Sequence, residues 1–459
     1  MPIVSLGCMR FQQSWNRGGT PITKMSDVTN ECQENLVNIL RHAIHCGVNH
    51  IETALGYGSS EMQIGQALKV LFKEDGIKRE DLIVQTKGFI SQNMSKNDFK
   101  SSIVQQIERL GAGYVDLFSV HGVNTEDHLD WLFRHGDKGD LIDAVRELRE
   151  EGKIRWIGFS THAPAHIIKQ AIETDAFDYI NLHYHCMGSY TASGDGDETF
   201  EGNLQNIRLA NKHDMGVFII SPYDKGGRLY APSHKLRELT LPEMEPMDYG
   251  SYWLWYHNEH RKGDAARADT IVCGAARPSD LDQPVLAALR MLNEPEAAKA
   301  DFEAVHSRIT EQRESVFGKD WADNWQVGLP NYSHSPGKGS QIGNMVWLYN
   351  GIHMFGLLDF AKDRYGTLTG NLKNWDKTKP WKENLWANMG FNWMPGCAYE
   401  PDADYTEELK DVPEKNLERV KEAMEFVSKW CIPECEEEVP LEWQTAYDMR
   451  PWPAYPERS

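Results

Sequence analysis

From Val4 to about residue 293, short apolar runs alternate with longer stretches whose apolar positions recur every three or four residues. The runs predict strands at Val4–Leu6, His50–Ala54, Leu82–Lys87, Val115–His121, Ile154–Thr161, Tyr179–His185, Gly216–Ser221 and Thr270–Ala275. Most are near-continuous rather than alternating, as parallel strands covered by helices require. Helical spacing predicts Glu34–Cys46, with Leu36, Ile39, Leu40, Ala43 and Ile44 on one face. Further helices are expected over Glu61–Phe72, Asp98–Leu110, Leu141–Glu150, Ala165–Thr174, Asn203–His213 and Ser279–Leu292. Eight strand–helix repeats predict an α/β fold, a (β/α)8 TIM barrel over residues 1–293. A doubly wound nucleotide fold would want a Gly-x-Gly-x-x-Gly turn after its first strand, and Gly18–Gly19 does not supply it.

Two segments interrupt the repeat. Tyr223–Arg267, after the seventh strand, is long enough to lie over the strand C-termini, where barrels place substrate loops. Residues 294–459 have a different texture and hold ten of the fifteen tryptophans: Trp321, Trp325, Trp347, Trp375, Trp381, Trp386, Trp393, Trp430, Trp443 and Trp452. Helical patterns at Glu296–Val316, Asn344–Tyr365 and Lys415–Trp430 alternate there with loops rich in Asn, Gly and Pro. Disordered tails are poor in aromatics, so a mostly helical extension packed on the barrel is expected.

Composition narrows the partners. A net charge of −20 disfavours nucleic acid and anionic membranes, which need a basic footprint. No run is apolar enough to span a bilayer, and the N-terminus lacks the pattern of a signal peptide, so a cytoplasmic location is expected. The eight cysteines form no C-x-x-C pair, against a disulfide framework, a zinc knuckle or a ferredoxin-type cluster. Pro433 disfavours a helix that would align Cys431 with Cys435. The acidic runs Gly194–Asp195–Gly196–Asp197–Glu198 and Glu434–Cys435–Glu436–Glu437–Glu438 read as a polar turn and a solvated surface.

Chemistry concentrates at successive strand ends. The second strand delivers Glu52, with Tyr57 on the following loop; the third ends in Lys87 and the fourth in His121. In a barrel these converge on one face. A phenol near pKa 10 is a poor acid or base at neutral pH, but an ammonium beside it favours the phenolate, and a carboxylate behind the ammonium holds it in place. Such a Tyr can protonate a carbonyl oxygen or deprotonate an alcohol, with a histidine orienting the same oxygen. His183 and His185 share a strand face with Asn181 and are candidates for the substrate pocket. With His121 and His162 they also raise a metal site, but no carboxylate ligands stand at matching strand ends, and no metal is expected.

These residues, in this order, resemble the aldo-keto reductases. The resemblance rests on Glu52–Thr53–Ala54, Tyr57–Gly58 and Glu61, on Val84–Gln85–Thr86–Lys87, and on Tyr114–Val115–Asp116–Leu117 with His121. It continues through Gly158–Phe159–Ser160, Ser221–Pro222, Gly226–Gly227, Gly274–Ala275 and Arg277–Pro278. It implies a barrel that binds NADP(H), or NAD(H), without a doubly wound domain and interconverts a carbonyl (aldehyde, ketone or sugar) and an alcohol by hydride transfer. By the same resemblance Tyr57 is the general acid/base, Lys87 its activator, Glu52 the partner of Lys87, and His121 the substrate-orienting residue. Ser160 and Asn181 are expected at the nicotinamide amide, Ser221, Gly226 and Gly227 over the pyrophosphate, and Gly274 and Arg277 near the adenosine phosphate.

The chain departs from the family pattern in several places. Glu52 stands where Asp is usual, Thr161 where Asn follows the Ser, and Asn181 where Gln is usual. Ala276 replaces an Arg, with Arg277 adjacent, and the N-terminal hairpin that plugs the barrel bottom is almost absent before Val4. The C-terminal segment is available to cover that end. It resembles the extension of a long branch of the family, partly related to forms with a ferredoxin-like tail, but without the cluster cysteines; no iron–sulfur centre is expected. The partner implied is a small carbonyl or alcohol, bound by a monomer or homo-oligomer. Two other readings stand beside this one: a non-catalytic nucleotide-binding regulator on the same fold, and a metal-dependent barrel hydrolase.

Overall fold

The computed structural model describes residues 1–13, 22–133, 136, 139–188, 203–256, 266–330, 339–374, 376, 378 and 396–449. Gly18–Gly19, the Gly194–Glu198 turn and Trp375, Trp381, Trp386, Trp393 and Trp452 lie outside them. Eight parallel strands close into a barrel in sequence order: β1 Val4–Gly7, β2 His50–Glu52, β3 Ile83–Gly88, β4 Val115–Val120, β5 Ile154–Ser160, β6 Tyr179–Leu182, β7 Gly216–Ile220 and β8 Thr270–Gly274. β1 closes the ring by pairing with β8 through Val4–Ile271 and Leu6–Cys273. All eight predicted strands are present. β6 stops at Leu182, so His183 and His185 stand on the chain just beyond it.

The outer layer follows the predicted spacing. It comprises α1 Asn30–His45, α2 Ser60–Glu74, α3 Lys96–Leu110, α4 Glu126–Phe133, α5 Leu141–Glu150, α6 Ala165–Glu173 and α7 Leu204–Lys212. Helix α4 was not evident in the pattern; it is eight residues long and buries only His128, Leu129 and Leu132. Thr29 caps α1 by accepting from the Cys32 amide, and Ser95 with Asp98 forms a capping box on α3. Helices α2 and α3 approach so closely that a Cβ on Gly65 would lie 2.2 Å from the Arg109 carbonyl oxygen. Across that contact Glu61 pairs with Arg109 and accepts from Thr86 Oγ1 (2.6 Å) and Gln106 Nε2 (2.8 Å). Glu61, part of the motif that carried the resemblance, thus fastens two helices to β3.

The barrel interior is polar as well as apolar. Thr270 Oγ1 and Ser5 Oγ are 2.6 Å apart, Ser5 Oγ meets His50 Nδ1 at 2.7 Å, and His50 Nε2 meets Gln85 Oε1 at 2.9 Å. Gln85 Nε2 then donates to Ser119 Oγ (3.1 Å) and Asn181 Oδ1 (3.0 Å). This buried chain joins six strands and fixes Asn181 from below. Burial holds His50 down at about 3, so it is neutral and serves as a hydrogen-bond link.

The Tyr223–Arg267 segment contains two helices that the pattern had not resolved, α8 His234–Thr240 and α9 Pro246–Trp255. After β8 come α10 Asp282–Asn293, α11 Pro295–Phe317, α12 Lys319–Asn324, α13 Ile342–Phe355, α14 Leu358–Asn374 and α15 Glu414–Trp430. The single helix expected over Asn344–Tyr365 is two, because the chain turns at Gly356 with φ +69°. Trp347 Nε1 donates to Met187 O beyond β6 (3.2 Å), Ser233 Oγ to Phe355 O (2.6 Å), and Arg364 Nη2 to Asp224 O (3.3 Å). These contacts lie on the loops after β6 and β7. Among the described residues, therefore, the extension meets the loops at the strand C-termini, which corrects the expectation that it takes the place of the bottom hairpin.

Candidate active site

β2 and β3 deliver Glu52 and Lys87 side by side through the register His50–Ile83 and Glu52–Gln85. The Lys87 ammonium touches the Glu52 carboxylate, donates to Thr53 O at 2.9 Å and reaches Tyr57 Oη at 3.3 Å. An ammonium has three hydrogens and no lone pair, so these three acceptors use its capacity. Tyr57 Oη is the acceptor in its contact, and its own O–H remains a donor. Burial pushes the Lys87 ammonium below its ordinary value, against a smaller opposing effect of Cys8. Burial also raises the Tyr57 phenol to about 12, against a smaller opposing effect of Arg10.

His121 follows the last residue of β4. Its ring lies edge-on to Tyr57, with centroids 5.8 Å apart and an interplanar angle of 84°, and stacks on Phe89 at 4.6 Å. Burial and the Lys87 charge lower its pKa to about 3, so the imidazole is neutral, and its buried Nδ1 has no hydrogen-bond partner. Tyr57, Lys87, His121 and Glu52 therefore form one cluster. The extra methylene of Glu52 does not prevent its contact with Lys87.

The other predicted residues separate into two groups. Ser160 Oγ accepts from the Gly122 amide at 3.1 Å, and Asn181 is fully buried with its Nδ2 unpartnered. Ser221 begins the loop after β7 in the left-handed region (φ +53°), an uncommon conformation for a residue with a Cβ. Gly226 lies against His185: a Cβ there would be 2.4 Å from His185 Cβ. Gly227 faces Met187 and Leu357 of the extension. At the far side, Gly274 is exposed beside Arg10, and Arg277 is exposed with its guanidinium on Asp280 (2.8 and 3.1 Å).

His183 and His185 are both buried. His183 Nδ1 lies 3.2 Å from Ile220 O, which makes that nitrogen the donor, while Nε2 lies 2.8 Å from His162 Nδ1 and 3.2 Å from Lys225 Nζ. Among the described residues no group of three His, Cys, Asp or Glu side chains converges to hold a metal.

Several residues at this mouth carried no recognisable sequence signal. Lys225 and Asp224 lie between Gly226 and the strand end, but Arg10 comes from the loop after β1 and Arg364 from α14. Burial and Arg364 bring the Lys225 ammonium down to about 7. Burial pushes the Asp224 carboxyl up, yet Arg364, the Tyr230 hydroxyl at 2.5 Å and Arg10 hold it down at about 2. Arg228 pairs with Asp363 at 3.1 Å. Four cations thus surround two carboxylates, leaving a positive margin suited to an anion. Phe89 had a local signal, two residues after Lys87; Arg364 could be found only in three dimensions.

The profile of the Aldo/keto reductase family matches residues 4–231. The NADH-specific methylglyoxal reductase of Escherichia coli is 26% identical over 209 residues, 41% of this chain and 57% of that protein. The L-galactose dehydrogenase of Arabidopsis thaliana is 32% identical over 202 residues, 42% and 57% respectively. The chain spans about half the length of the curated relatives it matches. Among solved structures, the holo form of an aldo-keto reductase from Bacillus halodurans is 20% identical with a TM-score of 0.46, covering 67% of this chain and 91% of that one. An aldo-keto reductase from Klebsiella pneumoniae in complex with NADPH is 18% identical with a TM-score of 0.44, covering 66% and 91%. No helix among the described residues is long and apolar enough to cross a membrane.

Proposed function

Because residues 4–231 belong to the aldo/keto reductase family of oxidoreductases, we propose that this chain interconverts a small carbonyl compound and its alcohol with a nicotinamide dinucleotide. The observation that carries the reading is the Lys87 ammonium, held between Glu52, Thr53 O and Tyr57 Oη, with a neutral His121 edge-on to the phenol.

The donors at the mouth fit such a cofactor. Asn181 Nδ2, buried and unpartnered, suits a carboxamide oxygen, with Ser160 beside it on β5. Arg10 and Lys225 suit a diphosphate under the loop from Ser221 to Gly227, and Arg364 braces that loop through Asp224. The nicotinamide supplies hydride to the carbonyl carbon, or takes it from the alcohol, when bound. The chain supplies the proton. Tyr57 Oη donates it to the carbonyl oxygen, and the phenolate so formed is stabilised by Lys87, which already donates to that oxygen. His121 gives the same carbonyl oxygen a second donor. Glu52 keeps the buried lysine charged through that change. His183, engaged with Ile220 O, His162 and Lys225, and His185, packed against Gly226, act as supports behind the loop rather than as substrate contacts.

Arg277 was expected near an adenosine phosphate, but its guanidinium is already bound to Asp280. NADPH and NADH are therefore both candidates. Quenching of tryptophan fluorescence by each, followed by turnover on a panel of aldehydes, ketones and sugars, tests the reading. Saturable binding of one nucleotide with consumption of a carbonyl supports it. Binding without turnover on any carbonyl points to a nucleotide-binding regulator, and no binding rejects both.

A further inference from the structure

A cavity of about 260 Å3 lies between the barrel and its extension. One wall is the chain after β6, including His185 and Met187; a second is α9, with Tyr249 and Trp253. Helices α11, α12 and α13 close it, and none of Tyr57, Lys87 or His121 lines it. An engineered cavity of about 150 Å3 suffices to hold benzene, so this one has room for a substituted ring.

The walls are not merely apolar. Asn350 lines the cavity and is 5% exposed; its Oδ1 accepts from Trp321 Nε1 at 2.8 Å, and its Nδ2 is buried without a partner. Arg313 lines it as well. Its Nη2 donates to Asp323 at 2.9 Å, while its Nε is buried without a partner. Buried amide and guanidinium hydrogens in native proteins are nearly always paired, so two unpaired donors among the residues lining one cavity, Arg313 on α11 and Asn350 on α13, mark a place for an acceptor. Trp253, Trp325 and Trp347 supply flat apolar faces around them. Aromatic walls with a few convergent polar groups are what small-molecule sites consist of.

We infer that this cavity is a second ligand site, separate from the hydride-transfer site. Its ligand is a small planar ring bearing a carbonyl or carboxylate oxygen, with the ring between the tryptophans and the oxygen at Asn350 Nδ2 and Arg313 Nε. The site lies one side chain from the loop after β7, because His185 lines the cavity and fills the space beside Gly226.

Calorimetric titration of the full chain with benzoate and with benzamide, with benzene as the control, tests the proposal. The expected result is saturable one-site binding of benzoate or benzamide, at least tenfold tighter than benzene, at saturating NADPH as well as without it. Arg313→Met and Asn350→Leu should each weaken it tenfold or more, and Thr310→Trp, which fills the cavity, should abolish it. Should Asn350→Leu fail to fold, Arg313→Met still decides, because Asp323 keeps Lys319 as a partner at 3.0 Å. Preference for benzoate over benzamide would mark the ligand as a carboxylate, and the reverse as a carbonyl. No saturable binding of either probe, binding unchanged in Arg313→Met, or displacement by NADPH overturns the proposal.

Discussion

Glu52 and Lys87 form an ion pair at the ends of neighbouring strands, with only 4% and 2% of their side chains exposed. Breaking such a pair by removing one partner leaves a charge buried without compensation, at a cost of about 3–5 kcal/mol. Glu52→Gln and Lys87→Met should therefore both destabilise the fold by an amount in that range, read from urea unfolding at neutral pH. The double replacement should cost less than the sum of the two. Strictly additive costs would mean that the two groups do not interact.

Acid should destabilise the fold in a window set by buried histidines. His50 and His121 are lowered to about 3, and His128 to about 4. Between those values and the ordinary value of about 6.5 the unfolded chain binds more protons than the folded one, so stability is complete above about pH 6.5 and is lost as pH falls below it. The expected slope is about 1.4 kcal/mol per pH unit for each histidine in its window. Unfolding curves at neutral pH and near pH 5 check this, and equal stability at the two would contradict the burial of neutral imidazoles.

Lys225 links pH to nucleotide binding. Its ammonium titrates at about 7 in the free protein, and a bound diphosphate favours the charged form. Binding then takes up a proton above that pH, and affinity should fall as pH rises from about 7 to about 9. Lys225→Met should bind more weakly and without that dependence. Arg364→Met, which frees the loop at Asp224, should weaken binding roughly tenfold, a coupling of about 1.4 kcal/mol, and should move the fall in affinity to higher pH, because the Arg364 charge is one of the causes that lower the Lys225 ammonium.

The barrel and the central cluster were legible in the sequence for a physical reason. Buried parallel strands give near-continuous apolar runs, and a barrel brings consecutive strand ends to one face, so Glu52, Lys87 and His121 could be placed together without coordinates. Helices α8 and α9 were not legible, because α9 is buried on nearly every side and shows no polar face. Arg364 was hidden for another reason. It lies 140 residues from Asp224, and only the folding of the extension onto the β7 loop brings the two together. The position of the extension was not legible on the same account, since a Trp-rich composition shows that a segment packs but not where.

Tyr57→Phe removes one oxygen and tests the central claim most directly. The measurement is carbonyl-dependent oxidation of the preferred nicotinamide nucleotide, alongside the affinity of the variant for that nucleotide. The account predicts a rate lower by at least about 100-fold with affinity changed less than about threefold, because the phenol supplies the proton. A variant that retains near-normal turnover would contradict it.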